Sequence, residues 1–408
     1  MKIFFSVGEP SGDLHGANLI RELRQRCPGL QAVGYGGPKM AAAGCQLHTD
    51  LTQLAIMALL RALTNLHRFL ALLWRADRYF RQERPDAVVL IDFPGFNWWI
   101  ARRAKARGIP VIYYGTPQLW AWAPWRVRKM RKYVDHVICK LPFEVPWYAE
   151  RQCRAVFVGH PYFDQLSQQP LDAAFLAEQR QHPEPLVLLL PGSRTQEVTG
   201  LLPMLLKTAA HVQANHPGTR VAVANYSQRH RELSRAILES LPAAERPHVE
   251  FHVDRTQELM ELATCCVACS GSVSLELMYR ARPTVIAYRT DPFTLWLQGL
   301  FRTCKYITLV NLLAVPDRSR QISTPVYDPD AANAEDVPMP EYLTSRDRSR
   351  EMASWVCRWL TDPADRERRA EWLRELRDRY GHPGASRAAA EYILTALSAG
   401  AVPAQRAA

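Results

Sequence analysis

The chain has 408 residues, 48% of them hydrophobic and 22% charged, which exceeds one ordinary domain and suffices for two sizeable cores. Its formal charge of +11 points to polyanionic partners such as phosphorylated substrates, an anionic bilayer or nucleic acid, and charge alone does not choose among them. Nine scattered cysteines are unlike a secreted disulfide framework, and the apolar run Ile3–Val7 turns polar too early, at Gly8 and Glu9, for a secretory signal, so a cytoplasmic chain with reduced thiols is expected.

From the start, β-rich runs alternate with helical patterns: Ile3–Val7, Asp13–Cys27, Gln31–Tyr35, Asp86–Asp92, Phe96–Arg107, Val111–Tyr114, Val134–Cys139 and Ala155–Val158. Such alternation predicts parallel strands with crossover helices. After the first strand, Gly8-Glu9-Pro10-Ser11-Gly12-Asp13 permits a tight turn, with Ser11 or Asp13 able to cap the following helix. It is neither a Walker A loop nor G-x-G-x-x-G, so a structural turn and a ligand-binding turn stay equally open at this point. Asp92 stands at the end of the run Ala87–Ile91, on the edge where open α/β sheets bind ligands, placed either as a general base or as the cap of the next helix.

The polar, Pro- and Gln-rich text of Ser167–Pro185 reads as a linker, after which a second alternating series begins: Leu186–Leu190, Val221–Ala224, Val249–Val253, Cys265–Ser270 and Thr284–Tyr288. In Leu190-Pro191-Gly192-Ser193-Arg194 the arginine has a fork of donors suited to phosphate, with a plain surface arginine as the alternative. Ser270-Gly271-Ser272-Val273-Ser274-Leu275-Glu276 passes from a buried strand into a helix, offering free N–H groups for a pyrophosphate, with Glu276 one turn on for a ribose diol. Cys266 and Cys269 form a C-x-x-C, but without a second pair the run reads as a buried strand rather than a metal site. Val315–Tyr342 lacks any period and reads as a long irregular insertion before helical text from Thr344 to the end.

In order and spacing, Gly8–Ala17, Val33–Met40, Ile91–Asn97, Pro117–Trp122, Leu141–Glu144, Val158–Pro161, Leu190–Arg194, Ser270–Glu276 and Tyr306–Leu313 resemble the lipid-A-disaccharide synthases. The resemblance implies a GT-B fold: two Rossmann-like doubly wound α/β domains facing a cleft, with an acceptor-binding domain at 1–166, a UDP-sugar-binding domain at 185–365, and C-terminal helices at 366–408 that have the option of packing back on the first domain. It implies inverting transfer of 2,3-diacylglucosamine from UDP-diacylglucosamine to the 6-hydroxyl of 2,3-diacylglucosamine 1-phosphate, without an obligatory metal. No cofactor is expected, and no nucleic acid either, since no recognisable module appears and the basic residues are dispersed through helices. Asp92 then matches the essential aspartate and Arg194 a required arginine, while Ser11, Asp13, Ser272, Glu276 and Asn311 match substrate-binding positions. Gly95, Ala58, Arg61 and Val315-Pro316-Asp317 depart from the family pattern. Kept beside this reading are a related UDP-sugar enzyme, such as an epimerase, and a catalytically degraded lipid-binding relative.

An acylated acceptor resides in a membrane, so a peripheral position at the inner leaflet of a bacterial inner membrane is expected, with a homodimer left open. In Ile56–Trp74, apolar residues recur at helical spacing beside Arg61, Arg68 and Arg75. Leu63, Leu66, Arg68 and Phe69 are therefore expected to form an interfacial acceptor helix, against the alternative of an ordinary core helix.

Overall fold

The computed structural model describes residues 1–53, 66–315, 327–331 and 334–400. Ala58, Arg61, Leu63 and Pro316-Asp317, singled out in the sequence, lie outside the described residues. The chain divides into two compact units, one of Met1–Gln168 with His382–Ala408 and one of Gln169–Gly381.

The first unit is built on seven parallel strands: β1 (Lys2–Val7), β2 (Gln31–Gly36), β3 (Gln46–Asp50), β4 (Ala87–Ile91), β5 (Val111–Tyr114), β6 (His136–Cys139) and β7 (Ala155–Phe157). Their spatial order is β3-β2-β1-β4-β5-β6-β7. In β4 and β5 every side chain is buried, because helices cover both faces of a parallel sheet and leave no solvated side to carry polar residues. Phe5, Val7, Val89 and Ile91 share this core with Ala389, Ala390 and Ile393 of the C-terminal helix Ala385–Gly400. Asp164 caps that helix, accepting from the backbone N–H groups of Ala385 at 3.1 Å and Ser386 at 2.9 Å.

The second unit repeats the plan with six parallel strands: β8 (Leu186–Leu190), β9 (Arg220–Asn225), β10 (Glu250–Val253), β11 (Cys265–Cys269), β12 (Thr284–Arg289) and β13 (Glu341–Thr344). The order is β10-β9-β8-β11-β12-β13. All five residues of β11 are buried, so Cys266 and Cys269 belong to a central strand. Among the described residues no group of three or more His, Cys, Asp or Glu could hold a metal ion.

The chain boundaries depart from the sequence reading at both ends of this unit. Residues 169–184 lie with it, because Asp172 pairs with Arg255 at 2.7 Å and Gln179 accepts from Arg220 at 2.7 Å. At the C-terminus the first unit takes up His382–Ala408, which includes the helix Ala385–Gly400. The helix Pro363–Tyr380 stays with the second, burying Ala370 and Leu373, and the break falls at Gly381–Gly384, where Gly384 adopts a left-handed φ of 114°. The reading of Val315–Tyr342 as wholly irregular is also corrected, since Glu341 opens a strand that pairs with β12.

Candidate functional site

Each sheet reverses its strand order beside its first strand, between β1 and β4 and between β8 and β11. At such a switch point the loops leaving the two strands diverge to opposite faces, opening a crevice at the carboxyl ends. The four segments singled out in the sequence follow these four strands: Gly8–Asp13, Asp92–Asn97, Pro191–Arg194 and Ser270–Glu276.

Asp92 leaves β4 with a φ of 47°, and Phe93 follows at 44°, both in the left-handed region that costs a non-glycine residue of order 1 kcal/mol or more. The turn is held by Asp92's own carbonyl, which accepts from Asn97 Nδ2 at 2.8 Å and from the Tyr113 hydroxyl at 2.7 Å. Phe93, not Asp92, is the N-cap of Pro94–Ala106, which removes the capping role for Asp92. Its carboxylate instead faces Lys140, whose Nζ lies 3.2 Å from Oδ1, and both side chains are 18% exposed. Gly12 and Gly115 leave room here: a Cβ on Gly115 would stand 3.4 Å from Asp92 Oδ1 and 3.2 Å from Lys140 Nζ. Burial pulls the Lys140 ammonium down, but Asp92 and Glu144 outweigh it, and the net shift is upward. His15 lies close by with its ring buried and its value brought down to about 4, by burial first and then by the Lys140 charge. Gly95 is exposed, with nothing within 4 Å of where a Cβ would stand.

Beneath this turn lies a carboxylate that sequence reasoning noted only as part of a motif. Glu144 is buried and accepts from the backbone N–H groups of Lys140 and Leu141 at 3.0 Å each, from Trp120 Nε1 at 3.0 Å and from Thr116 Oγ1 at 3.2 Å. Burial raises its pKa, while these donors work in the opposite sense. It thereby ties Pro117–Trp122 to the residue that contacts Asp92.

The residues expected as ligand contacts differ in exposure and in partners. The helix Pro10–Arg26 starts at Pro10 with Glu9 as its N-cap, so Ser11 and Asp13 sit in its first turn and neither caps it. Ser11 is exposed. Asp13 is buried and caps the next helix, Pro38–Ala42, accepting from Gly37 N at 2.9 Å, Lys39 N at 3.0 Å and Met40 N at 3.0 Å. In the second unit, Glu276 is 2% exposed, with Arg280 3.5 Å away. Asn311 is likewise buried, donating to Met339 O at 2.8 Å and Glu341 at 3.0 Å and accepting from Met339 N at 3.1 Å. Arg194 and Ser272 stay exposed at the starts of their helices. The Arg194 side chain is 74% exposed, and Glu197, 3.4 Å away, also accepts from the backbone N–H groups of Ser193 and Arg194.

Glu341, hidden in the stretch read as irregular, accepts from Ile307 N at 2.8 Å, Thr308 N at 3.0 Å and Asn311 Nδ2 at 3.0 Å, and burial pushes it up to about 7. A folded-state value above the unfolded one means that the folded chain holds the proton more tightly. Its contribution to stability is full below the unfolded value and is lost as pH rises through about 7. Raising pH from about 5 to about 8 is therefore expected to lower Tm more in wild type than in Glu341→Gln. Parallel Tm–pH curves for the two proteins would remove this linkage.

On the expected acceptor helix, Leu66 opens the helix Leu66–Glu83 and Arg68 is exposed. Phe69 does not face solvent freely: its ring lies 5.5 Å from Phe96 and 6.2 Å from Phe93, against the turn that carries Asp92. Leu72, Leu73, Ala76 and Phe80 are buried, so this part is a core helix on one face, with Leu70 and Trp74 exposed on the other. Among the described residues no helix is long and apolar enough to cross a membrane.

A family model described as lipid-A-disaccharide synthetase matches residues 3–357. The lipid-A-disaccharide synthase of Anaeromyxobacter dehalogenans (strain 2CP-1 / ATCC BAA-258) is 33% identical over 394 residues, covering 96% of this chain and 97% of the relative. That of Coxiella burnetii (strain Dugway 5J108-111) is 34% identical over 316 residues, 76% of this chain and 81% of the relative. Among solved structures, a UDP-GlcNAc 2-epimerase from Neisseria meningitidis bound to UDP-GlcNAc superposes with a TM-score of 0.60 at 12% identity, covering 97% of this chain and 100% of that one. A calicheamicin glycosyltransferase superposes with a TM-score of 0.57 at 17% identity, covering 98% and 99%. The two parallel-sheet α/β units thus share the GT-B architecture of glycosyltransferases and UDP-sugar epimerases, a likeness of fold alone.

Proposed function

Because the chain belongs to the lipid-A-disaccharide synthetase family, we propose that it transfers 2,3-diacylglucosamine from UDP to 2,3-diacylglucosamine 1-phosphate, forming a β-1,6 disaccharide and UDP. The observation that carries this reading is the carboxylate of Asp92: it sits at a switch point on a strained turn, relieved of any capping duty, beside Lys140. Asp92 takes the proton of the acceptor's 6-hydroxyl as that oxygen bonds to the anomeric carbon. The bond from this carbon to the UDP phosphate oxygen breaks in the same displacement, so configuration inverts.

On the donor side, Arg194 is the side chain best suited to the diphosphate, since its guanidinium is exposed beside the N-terminus of a long helix, Thr195–Asn215. Ser272, exposed at the start of Val273–Tyr279, is the second donor-side residue retained in this reading, and Ser11 the one retained beside the base. The acylated substrates place the reaction at the inner leaflet of a bacterial inner membrane, and the charge of +11 favours that surface.

Purified protein given both substrates is expected to release UDP and disaccharide in equal amounts, followed by mass spectrometry. UDP binding without any disaccharide would sink the transfer reading and favour a degraded relative, whereas conversion of UDP-GlcNAc to its C2 epimer would favour an epimerase. Arg194→Ala is expected to weaken UDP binding by roughly tenfold or more, the scale of a charge-assisted contact to phosphate. Unchanged affinity by calorimetry would return Arg194 to the plain surface.

A further inference from the structure

The helix Pro292–Phe301, Pro-Phe-Thr-Leu-Trp-Leu-Gln-Gly-Leu-Phe, has none of its ten residues buried. Phe293 is 68% exposed, Trp296 61%, Leu297 40% and Leu300 60%. Their spacing of i, i+3, i+4 and i+7 places all four on one face, so the apolar stripe that ordinarily seats a helix on its core here points to solvent. Exposed apolar side chains in ones and twos are normal, as with Leu70 and Trp74, the latter with the Arg103 guanidinium 5.3 Å from its ring. A contiguous stripe on a single helix is a different matter.

The charges around the stripe select its partner. Arg289 precedes the helix and Arg302 and Lys305 follow it. Arg289 is exposed, whereas Arg302 and Lys305 are half-buried, with the Lys305 ammonium 5.2 Å from the Tyr306 ring; none of the three forms an ion pair with a described acidic residue. The one acid at this end of the helix, Asp291, is engaged as its N-cap, accepting from Thr294 N at 2.8 Å. Aromatic and leucine side chains flanked by cations on flexible stems match the layered polarity of a bilayer interface, where rings lie at the headgroup level and basic groups reach anionic phosphates. At ten residues the helix is too short to span the hydrocarbon, and it suits lying in the plane of the surface.

We propose that Pro292–Phe301 is a membrane-docking element of the second unit, seated on an anionic bilayer surface through Phe293, Trp296, Leu297 and Leu300. The proposal deepens the function proposed above, on which it rests for the class of its partner. It places a membrane contact on the part of the chain that carries the donor-side residues Arg194 and Ser272, in addition to the segment around Leu66, Arg68 and Phe69 expected from the sequence.

The test uses the full chain and substrate-free vesicles, so that it reads docking apart from sugar transfer. Wild-type protein is expected to co-sediment with phosphatidylethanolamine–phosphatidylglycerol vesicles more than with phosphatidylcholine vesicles. Phe293→Ser/Trp296→Ser/Leu300→Ser is expected to lower that partition by roughly tenfold or more. Arg289→Glu/Lys305→Glu should erase the preference for the anionic vesicles. All five side chains are half-buried or exposed, and a retained melting transition and UDP affinity establish that each variant is folded. Wild-type levels of vesicle binding in the folded triple variant would overturn the proposal. So would a wild-type dimer, seen by light scattering, that the triple variant converts to monomer without loss of vesicle binding, since the stripe would then join two copies of the chain. Lost transfer with intact docking would speak against the proposed function alone.

Discussion

Asp92→Asn is expected to lower kcat by roughly 10²- to 10⁴-fold, the usual contribution of a positioned general base, with the fold intact. Asparagine suits this test for a backbone reason. At φ 47° most side chains are strained, whereas asparagine enters the left-handed region readily, so the turn survives the exchange. The turn's own hydrogen bonds use the Asp92 carbonyl, from Asn97 and Tyr113, and do not depend on the carboxylate. What is lost is the basic carboxylate and the negative charge that faces Lys140 at 3.2 Å. The measurement is UDP release at saturating donor and acceptor, beside a thermal melt. Turnover within about threefold of wild type in a folded variant would remove Asp92 from the chemistry, because a base with this role cannot be replaced by an amide so cheaply.

The parallel sheets were legible because their central strands are unbroken apolar runs such as Ala87–Ile91 and Leu186–Leu190, followed by turn residues. The strands missed are edge strands with mixed composition: Gln-Leu-His-Thr-Asp in β3 and Glu-Tyr-Leu-Thr in β13, the latter behind Pro338 and Pro340. An edge strand is half covered and need not be apolar, so its signal resembles that of a loop.

At the site, Asp92 could be located from its strand, but whether it capped a helix was decided by the conformation of Phe93. Asp13, Glu276 and Asn311 are polar residues near the ends of strands, and the structure gives each a protein partner, backbone for Asp13 and Asn311 and Arg280 for Glu276. The choice of partner depends on the neighbouring loop, which sequence spacing does not report. Lys140 meets Asp92 across 48 positions, and Glu144 meets Trp120 across 24, separations over which no local pattern speaks.

Glu144→Ala is expected to destabilise the protein by about 3–5 kcal/mol, the cost of dismantling a buried, fully hydrogen-bonded charge and leaving its donors without a partner. The alanine cannot accept from Trp120 Nε1, Thr116 Oγ1, or the backbone N–H groups of Lys140 and Leu141, which converge on the two carboxylate oxygens. Trp120 is itself buried, packed edge-on to Phe143 at 4.8 Å, so water does not readily replace the lost acceptor. Glu144→Gln preserves volume and one acceptor oxygen, serving either the Trp120 and Thr116 side or the Lys140 and Leu141 side, and should fall between alanine and wild type. Urea unfolding checks the energetic ordering. Because Glu144 anchors the backbone of Lys140, the residue in contact with Asp92, both variants should also lose turnover while UDP affinity, carried by Arg194 and Ser272 in the proposed reading, stays near wild type. A Glu144→Ala protein as stable and as active as wild type would mean that the Thr116–Trp122 segment is held by other contacts and that Glu144 does not organise the surroundings of the base.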